Sequence, residues 1–122
     1  MDFLGLSYIE SLKSKKDRVY FLVKRNTEPI GVIDLTNINY ADKSAEIGPY
    51  AKPQLKGIGN HLMETIINYA VYNLKLKTLF AEVFTENTAA IKLYKRYNFK
   101  IYGKKEIGNR QIQLMELHIE NR

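Results

Sequence analysis

The sequence has no cysteine. That excludes a disulfide framework, a thiol nucleophile and a thiolate metal site. It has only two histidines, His61 and His118. They stand far apart without companion ligand spacings, so both read as structural and no metal is implied. No apolar run approaches the roughly eighteen residues of a membrane span. The opening Met1-Asp2-Phe3-Leu4-Gly5-Leu6 lacks the basic leader and the long apolar stretch of a signal peptide. A cytoplasmic setting is the simplest reading of these absences. Internal repeats, low-complexity segments, helix-turn-helix patterns and RNA-binding aromatic signatures are also lacking, which argues against nucleic acid as a partner.

What is present is enough for one small domain, residues 1–122, with 45% hydrophobic residues to build a core and 26% charged residues. The net charge is +6. Its lysines are spread along the chain rather than gathered in a stripe, which suits nucleotide phosphates better than a polymer of them.

Along the chain, Tyr8, Ile9 and Leu12 recur at three- and four-residue spacing, and Ser7 to Lys16 is expected to be helical. Arg18 to Arg25 alternates and reads as a strand. Ile30 to Ile38 reads as a second strand, forming a hairpin through Asn26-Thr27-Glu28-Pro29, with Gly31 marking a bulge. A third strand, Ala45 to Ala51, contains Gly48 and Pro49. Because proline has no N–H to give, pairing on one side of it is expected to be interrupted. A long amphipathic helix then reaches about Leu74. Thr78 to Phe84 is a nearly continuous apolar run, expected to be a buried parallel strand. A shorter helix runs from Asn87 to about Tyr97, and a hairpin turning at Gly108-Asn109 closes the chain.

The turn before the long helix, Lys52-Pro53-Gln54-Leu55-Lys56-Gly57-Ile58-Gly59, has two glycines, two lysines and no acid. A glycine turn opening a helix presents free N–H groups and the positive end of the helix dipole, which suits a phosphate or pyrophosphate. Taken alone, Gly-x-Gly before a helix is equally a flexible turn. Its spacing is neither that of a dinucleotide-binding fold nor that of a P-loop.

Strand, Gln54-x-x-Gly57-x-Gly59, helix, strand, then Asn87-x-x-Ala90-Ile91-x-Leu93-Tyr94-x-x-x-x-Phe99 resembles the GNAT N-acetyltransferases over about residues 18 to 119. The resemblance implies an α/β (α+β) fold: a mixed central sheet with helices on both faces and acetyl-coenzyme A in a wedge between two splayed parallel strands, 45–51 and 78–84. The stretches Tyr20-Phe21-Leu22-Val23, Ile30-Gly31-Val32-Ile33-Asp34 and Tyr50-Ala51-Lys52-Pro53 with Leu55-Lys56-Gly57 resemble one branch of that family. That branch acetylates a UDP-linked amino sugar, UDP-4-amino-4,6-dideoxy-N-acetyl-β-L-altrosamine, in pseudaminic acid biosynthesis. The implied function is transfer of acetyl from acetyl-coenzyme A to that primary amine by direct attack. A protein N-terminal or lysine acetyltransferase and a shortened, non-catalytic coenzyme A-binding domain are the alternatives.

The resemblance also assigns roles. Tyr94 protonates the departing thiolate, a task open to a phenol of reference pKa near 10; otherwise it is a core tyrosine. Tyr50, Ala51, Leu55, Lys56, Gly57, Ile58, Gly59 and Asn60 line the cofactor. Asn87 contacts the pantetheine arm or serves as a helix N-cap. Glu46 and Glu82 are rival acceptors of the amine proton, Glu82 because an acid within an apolar run is unusual. Tyr40 and Tyr50 are candidate contacts to the acceptor. By that resemblance the family's first strand and helix are missing, so strand 18–25 is expected to be an exposed sheet edge that pairs in a homodimer or binds a segment from another chain.

Overall fold

The structure is a computed structural model describing residues 7–15, 17–51 and 57–122. Among these described residues seven strands form one sheet: β1 Ser7–Lys15, β2 Arg18–Arg25, β3 Glu28–Asn39, β4 Ser44–Ala51, β5 Thr78–Phe84, β6 Lys100–Ile107 and β7 Arg110–His118. Their order across the sheet is β1-β2-β3-β4-β5-β7-β6. Every neighbouring pair is antiparallel except β4 and β5, which are parallel. Two α-helices, α1 Ile58–Asn68 and α2 Thr88–Arg96, lie between strands; α1 runs on into a π-helical turn, Tyr69–Asn73.

Period-two alternation builds the core. Val19, Phe21 and Val23 of β2 are buried together with Ile33, Leu35, Ala45, Ile47, Leu79, Ala81, Met115 and Leu117 from the other strands. The same cluster takes in Ile58, Leu62, Met63 and Ile66 of α1 and Tyr94 of α2. Among the described residues both α-helices pack on this buried face of the mixed sheet that the resemblance implied. Residues pointing the other way, such as Leu22, Glu46, Phe80 and Glu82, are only partly buried or exposed.

Three local expectations are corrected. Ser7–Lys15 is a strand, not a helix. It pairs with β2 from Ser7↔Arg25 to Lys15↔Arg18, with a bulge between Ser11 and Lys13. The backbone groups of β2 offer a ladder of hydrogen bonds, and that tertiary pairing outweighs a three- and four-residue periodicity only ten residues long. It follows that β2 is not a sheet edge, because β1 covers one side and β3 the other. The physical ground for a homodimer through residues 18–25 is thereby removed. Finally, β5 is buried on one face only, with Glu82 and Phe84 exposed; its apolar run reflects Phe80 and Phe84 on the outer face rather than double burial.

Other features stand as expected. The β2–β3 register shifts between Val23 and Lys24, where Gly31 gives way to Pro29 as partner. Gly108 takes φ 60 in the β6–β7 turn, a conformation that favours glycine.

Candidate active site

The parallel pair β4 and β5 is joined by three register positions, Ser44↔Thr78, Ala45↔Leu79 and Glu46↔Phe80. Beyond these the strands part. β4 stays with β3 as far as Gly31↔Ala51, and β5 stays with β7 as far as Phe84↔Ile112. Pro49 lies in the parted stretch, in register with Ile33 of β3. This one-sided pairing is what a residue without an N–H permits. The fork leaves facing backbone groups without a ladder partner, so an extended ligand carrying amides of its own fits between them.

Along the chain, α1 follows the end of β4 and packs on that strand. Gly57 is its N-cap, with φ 76 and ψ −3 and no side-chain cap, and the first turn carries no acid. A Cβ at Gly57 would meet nothing within 4 Å. The left-handed conformation, rather than crowding, is what requires glycine there. Gly59 serves another purpose. A Cβ there would stand 3.1 Å from Leu93 Cδ2, so this glycine lets α1 and α2 approach closely. Leu55 and Lys56, with Lys52, lie outside the described residues; Tyr50 and Ala51 are placed as the end of β4.

Asn60, in the first turn of α1, is fixed from α2. Its Oδ1 accepts a hydrogen bond from Arg96 Nη1 at 2.6 Å, and its carbonyl accepts one from the Tyr97 hydroxyl at 3.1 Å. Burial first, and then the nearby Glu64 carboxylate, pushes the Tyr97 phenol above its ordinary range, which keeps it a hydrogen-bond donor. Arg96 thus brings a guanidinium to the positive end of α1. Sequence reasoning passed over it, since a basic residue in the last turn of a helix is ordinary dipole complementation.

Asn87 is the N-cap of α2, its Oδ1 accepting from Ala90 N at 3.2 Å. One helical face down, Tyr94 is 6% exposed, its ring edge-on to Phe99 with centroids 5.1 Å apart. The cap and core readings of these two residues both hold, and neither conflicts with a role toward a bound cofactor.

The outer face of the sheet carries the carboxylates. Glu46 is the last β4 residue paired to β5. Its Oε1 accepts from Asn37 Nδ2 at 3.1 Å. Glu82 stands two residues beyond Phe80, on the same face and past the point where the strands part. Its side chain is 38% exposed and accepts from Lys105 Nζ at 2.8 Å. The apolar surroundings expected for Glu82 are absent, because β5 has only one buried face. Tyr102 of β6 reaches over β7 to this face, edge-on to Phe80 with ring centroids 5.9 Å apart. Burial and then the carboxylates of Glu116, Glu82 and Glu46 raise its phenol above the ordinary value.

Some residues are not brought to this place. Tyr40 is exposed in the β3–β4 turn, at the closed end of the fork. His61 is buried on α1. His118 ends β7, with Nε2 3.5 Å from Glu116 Oε2. A groove of about 410 Å³ between α1 and the end of α2, lined by Glu64, Ile67, Arg96 and Tyr97 among others, includes no residue of β4 or β5. Among the described residues no group of three or more acids and histidines is placed to hold a metal ion.

Residues 3–99 match the acetyltransferase (GNAT) family. Acetyltransferase PseH of Campylobacter jejuni is 48% identical over 97 residues, 80% of this chain and 60% of that protein. The crystal structure of Campylobacter jejuni N-acetyltransferase PseH in complex with acetyl coenzyme A superimposes with a TM-score of 0.78 at 43% identity, covering 85% of this chain and 70% of that one. Spermidine N-acetyltransferase from Vibrio cholerae in complex with CoA and spermine gives a TM-score of 0.81 at 25% identity, covering 86% and 68%. The chain spans 60% of the length of the curated PseH proteins it matches.

Proposed function

Since this chain belongs to the acetyltransferase (GNAT) family, we propose that it moves the acetyl group of acetyl-coenzyme A to the 4-amino group of a UDP-linked amino sugar of the pseudaminic acid route. The fork carries this reading: a parallel pair that parts after three register positions, its first strand followed in the chain by a helix start capped by a left-handed glycine. The 48% identity to PseH supports the choice of acceptor.

When bound, the thioester supplies an activated acetyl group. The chain's residues do the rest. Amides at the start of α1, with Arg96 beside Asn60, hold the pyrophosphate. The parted edge of β4 orients the pantetheine arm. The amine attacks the thioester carbonyl directly, forming the C–N bond as the C–S bond breaks. One proton leaves the amine for a carboxylate at the fork, Glu46 or Glu82. Another passes from the Tyr94 hydroxyl to the departing thiolate. With no cysteine in the chain and a substrate already activated, positioning and two proton transfers suffice.

A second reading has its own support. Glu46, Glu82 and Glu116 all act on the one phenol of Tyr102, and such a cluster of carboxylates suits a polycationic amine. The deciding experiment measures thiol release from acetyl-coenzyme A with the UDP-4-amino sugar, with spermidine and with a peptide N-terminus as acceptors. A clear preference for the sugar is expected. Preference for spermidine or the peptide overturns the acceptor assignment. Binding of acetyl-coenzyme A with no release for any amine overturns catalysis by this chain.

A further inference from the structure

Asn37 occupies an unusual place. In the β3–β4 ladder the register runs from Thr36↔Glu46 to Asn39↔Ser44, so β3 advances three residues while β4 advances two. The extra residue is a bulge, and within it Asn37 adopts φ 50. Ile38 is buried, and its N–H donates to Asp17 O at 2.9 Å, which anchors the bulge to the rest of the chain. Bulges beside functional sites re-aim side chains. Here the result is that Asn37 Nδ2 points across to Glu46 Oε1 at 3.1 Å. A non-glycine residue at positive φ costs conformational energy, yet this one sits beside the last rung of the fork.

We propose that Asn37 is a positioning residue that holds the Glu46 carboxylate at the fork in the orientation that receives the amine proton. The inference rests on Glu46 being the base of the proposed reaction. Among the described residues, the other charged or titratable groups on this face include Tyr20 of β2, Asp34 of β3, Glu82 of β5, Glu116 and His118 of β7, and Tyr102 and Lys105 of β6. A neutral amide donor among them orients one oxygen of Glu46 without neutralising it, leaving the other oxygen for the substrate.

Two substitutions fit the left-handed backbone and so preserve the bulge: glycine, and aspartate, which tolerates that region. Asn37→Gly removes the donor. It is expected to lower kcat about two- to tenfold, the worth of one hydrogen bond, with acetyl-coenzyme A affinity and thermal midpoint held. Asn37→Asp sets a second carboxyl beside Glu46, and like charges resist joint ionisation. The acid limb of its kcat/KM profile, with the UDP-4-amino sugar as acceptor, is expected to move up by about one pH unit. In a Glu46→Gln background that shift disappears. The side-chain amide resonance of Asn37 reports the contact without any turnover, and Glu46→Gln should move it. If Glu46→Gln is crippled while Asn37→Gly keeps full kcat, the positioning role is overturned and the base reading survives. If Glu46→Gln turns over normally, both fall. An amide resonance indifferent to Glu46→Gln overturns the contact itself.

Discussion

Gly57 and Gly59 show how two glycines two residues apart carry different physics. Gly57 is held by its φ of 76, in open space. Gly59 is held by Leu93 at 3.1 Å, so a side chain there disturbs helix packing as well as any ligand. The clean test of the phosphate site is therefore at Gly57, by comparing Gly57→Asn with Gly57→Asp. Both side chains tolerate the left-handed region, and they differ only in charge. Calorimetry should find acetyl-coenzyme A binding weakened about tenfold or more in the aspartate variant relative to the asparagine, the effect of an anion at a helix start built for one. Equal affinities would take the pyrophosphate away from this turn. Tyr94 allows a similar separation. Its ring is core, packed on Phe99, and Tyr94→Phe keeps that packing while removing the proton. Turnover is expected to fall about 10²–10⁴-fold, the usual contribution of a general acid, with coenzyme affinity nearly unchanged. A kcat within about twofold of the parent would remove Tyr94 from the reaction.

At the scale of elements, the strand over Ser7–Lys15 matters most. Paired on both sides, β2 should protect all its amides from hydrogen exchange, including those directed at β1. If alternate amides from Val19 to Arg25 exchanged at the rate of an open loop, β1 would not be in place. Much of the rest was legible in the sequence, for identifiable reasons. The hairpin of β2 and β3 is marked by alternation and by Asn26 and Pro29 in or beside its turn. The start of α2 is marked by Asn87, whose side chain caps it. The break in β4 pairing is marked by Pro49. What stayed hidden depended on distant partners. The fate of Ser7–Lys15 was set by a vacant ladder on β2, which no local spacing reports. Glu82 looked like a buried acid because the run around it is apolar, yet alternation turns it outward to Lys105. The pairing of Asn37 with Glu46 needed a bulge, and the contact of Arg96 with Asn60 spans 36 residues.

For the whole molecule, the outermost strands of the sheet among the described residues are β1 and β6. β6 carries Lys100, Lys104 and Lys105, charges of the kind that discourage edge pairing. Binding of acetyl-coenzyme A should stabilise the entire fold by mass action, about 2.7 kcal/mol when ligand is a hundredfold above its dissociation constant. In a domain of this size the thermal midpoint should then rise by several degrees and keep climbing with the logarithm of concentration. A midpoint indifferent to the coenzyme would mean that the native state does not bind it.

The fork also bears on how the chain finds its fold. On one side of it, β1 to β4 are an unbroken series of hairpins, each strand pairing with its neighbour in sequence. On the other, β6 and β7 form a hairpin that β5 joins. Three parallel rungs, and the contact of α1, which packs across β3 and β4, with α2 are what join the two halves. The hairpin ladders, β1 to β4 and β6 with β7, close over short loops and cost little entropy to form, whereas β5 must be brought to partners roughly thirty residues away on both of its sides. Folding is then a matter of two quickly woven panels and one strand, β5, laid slowly between them, beside the proposed site of reaction.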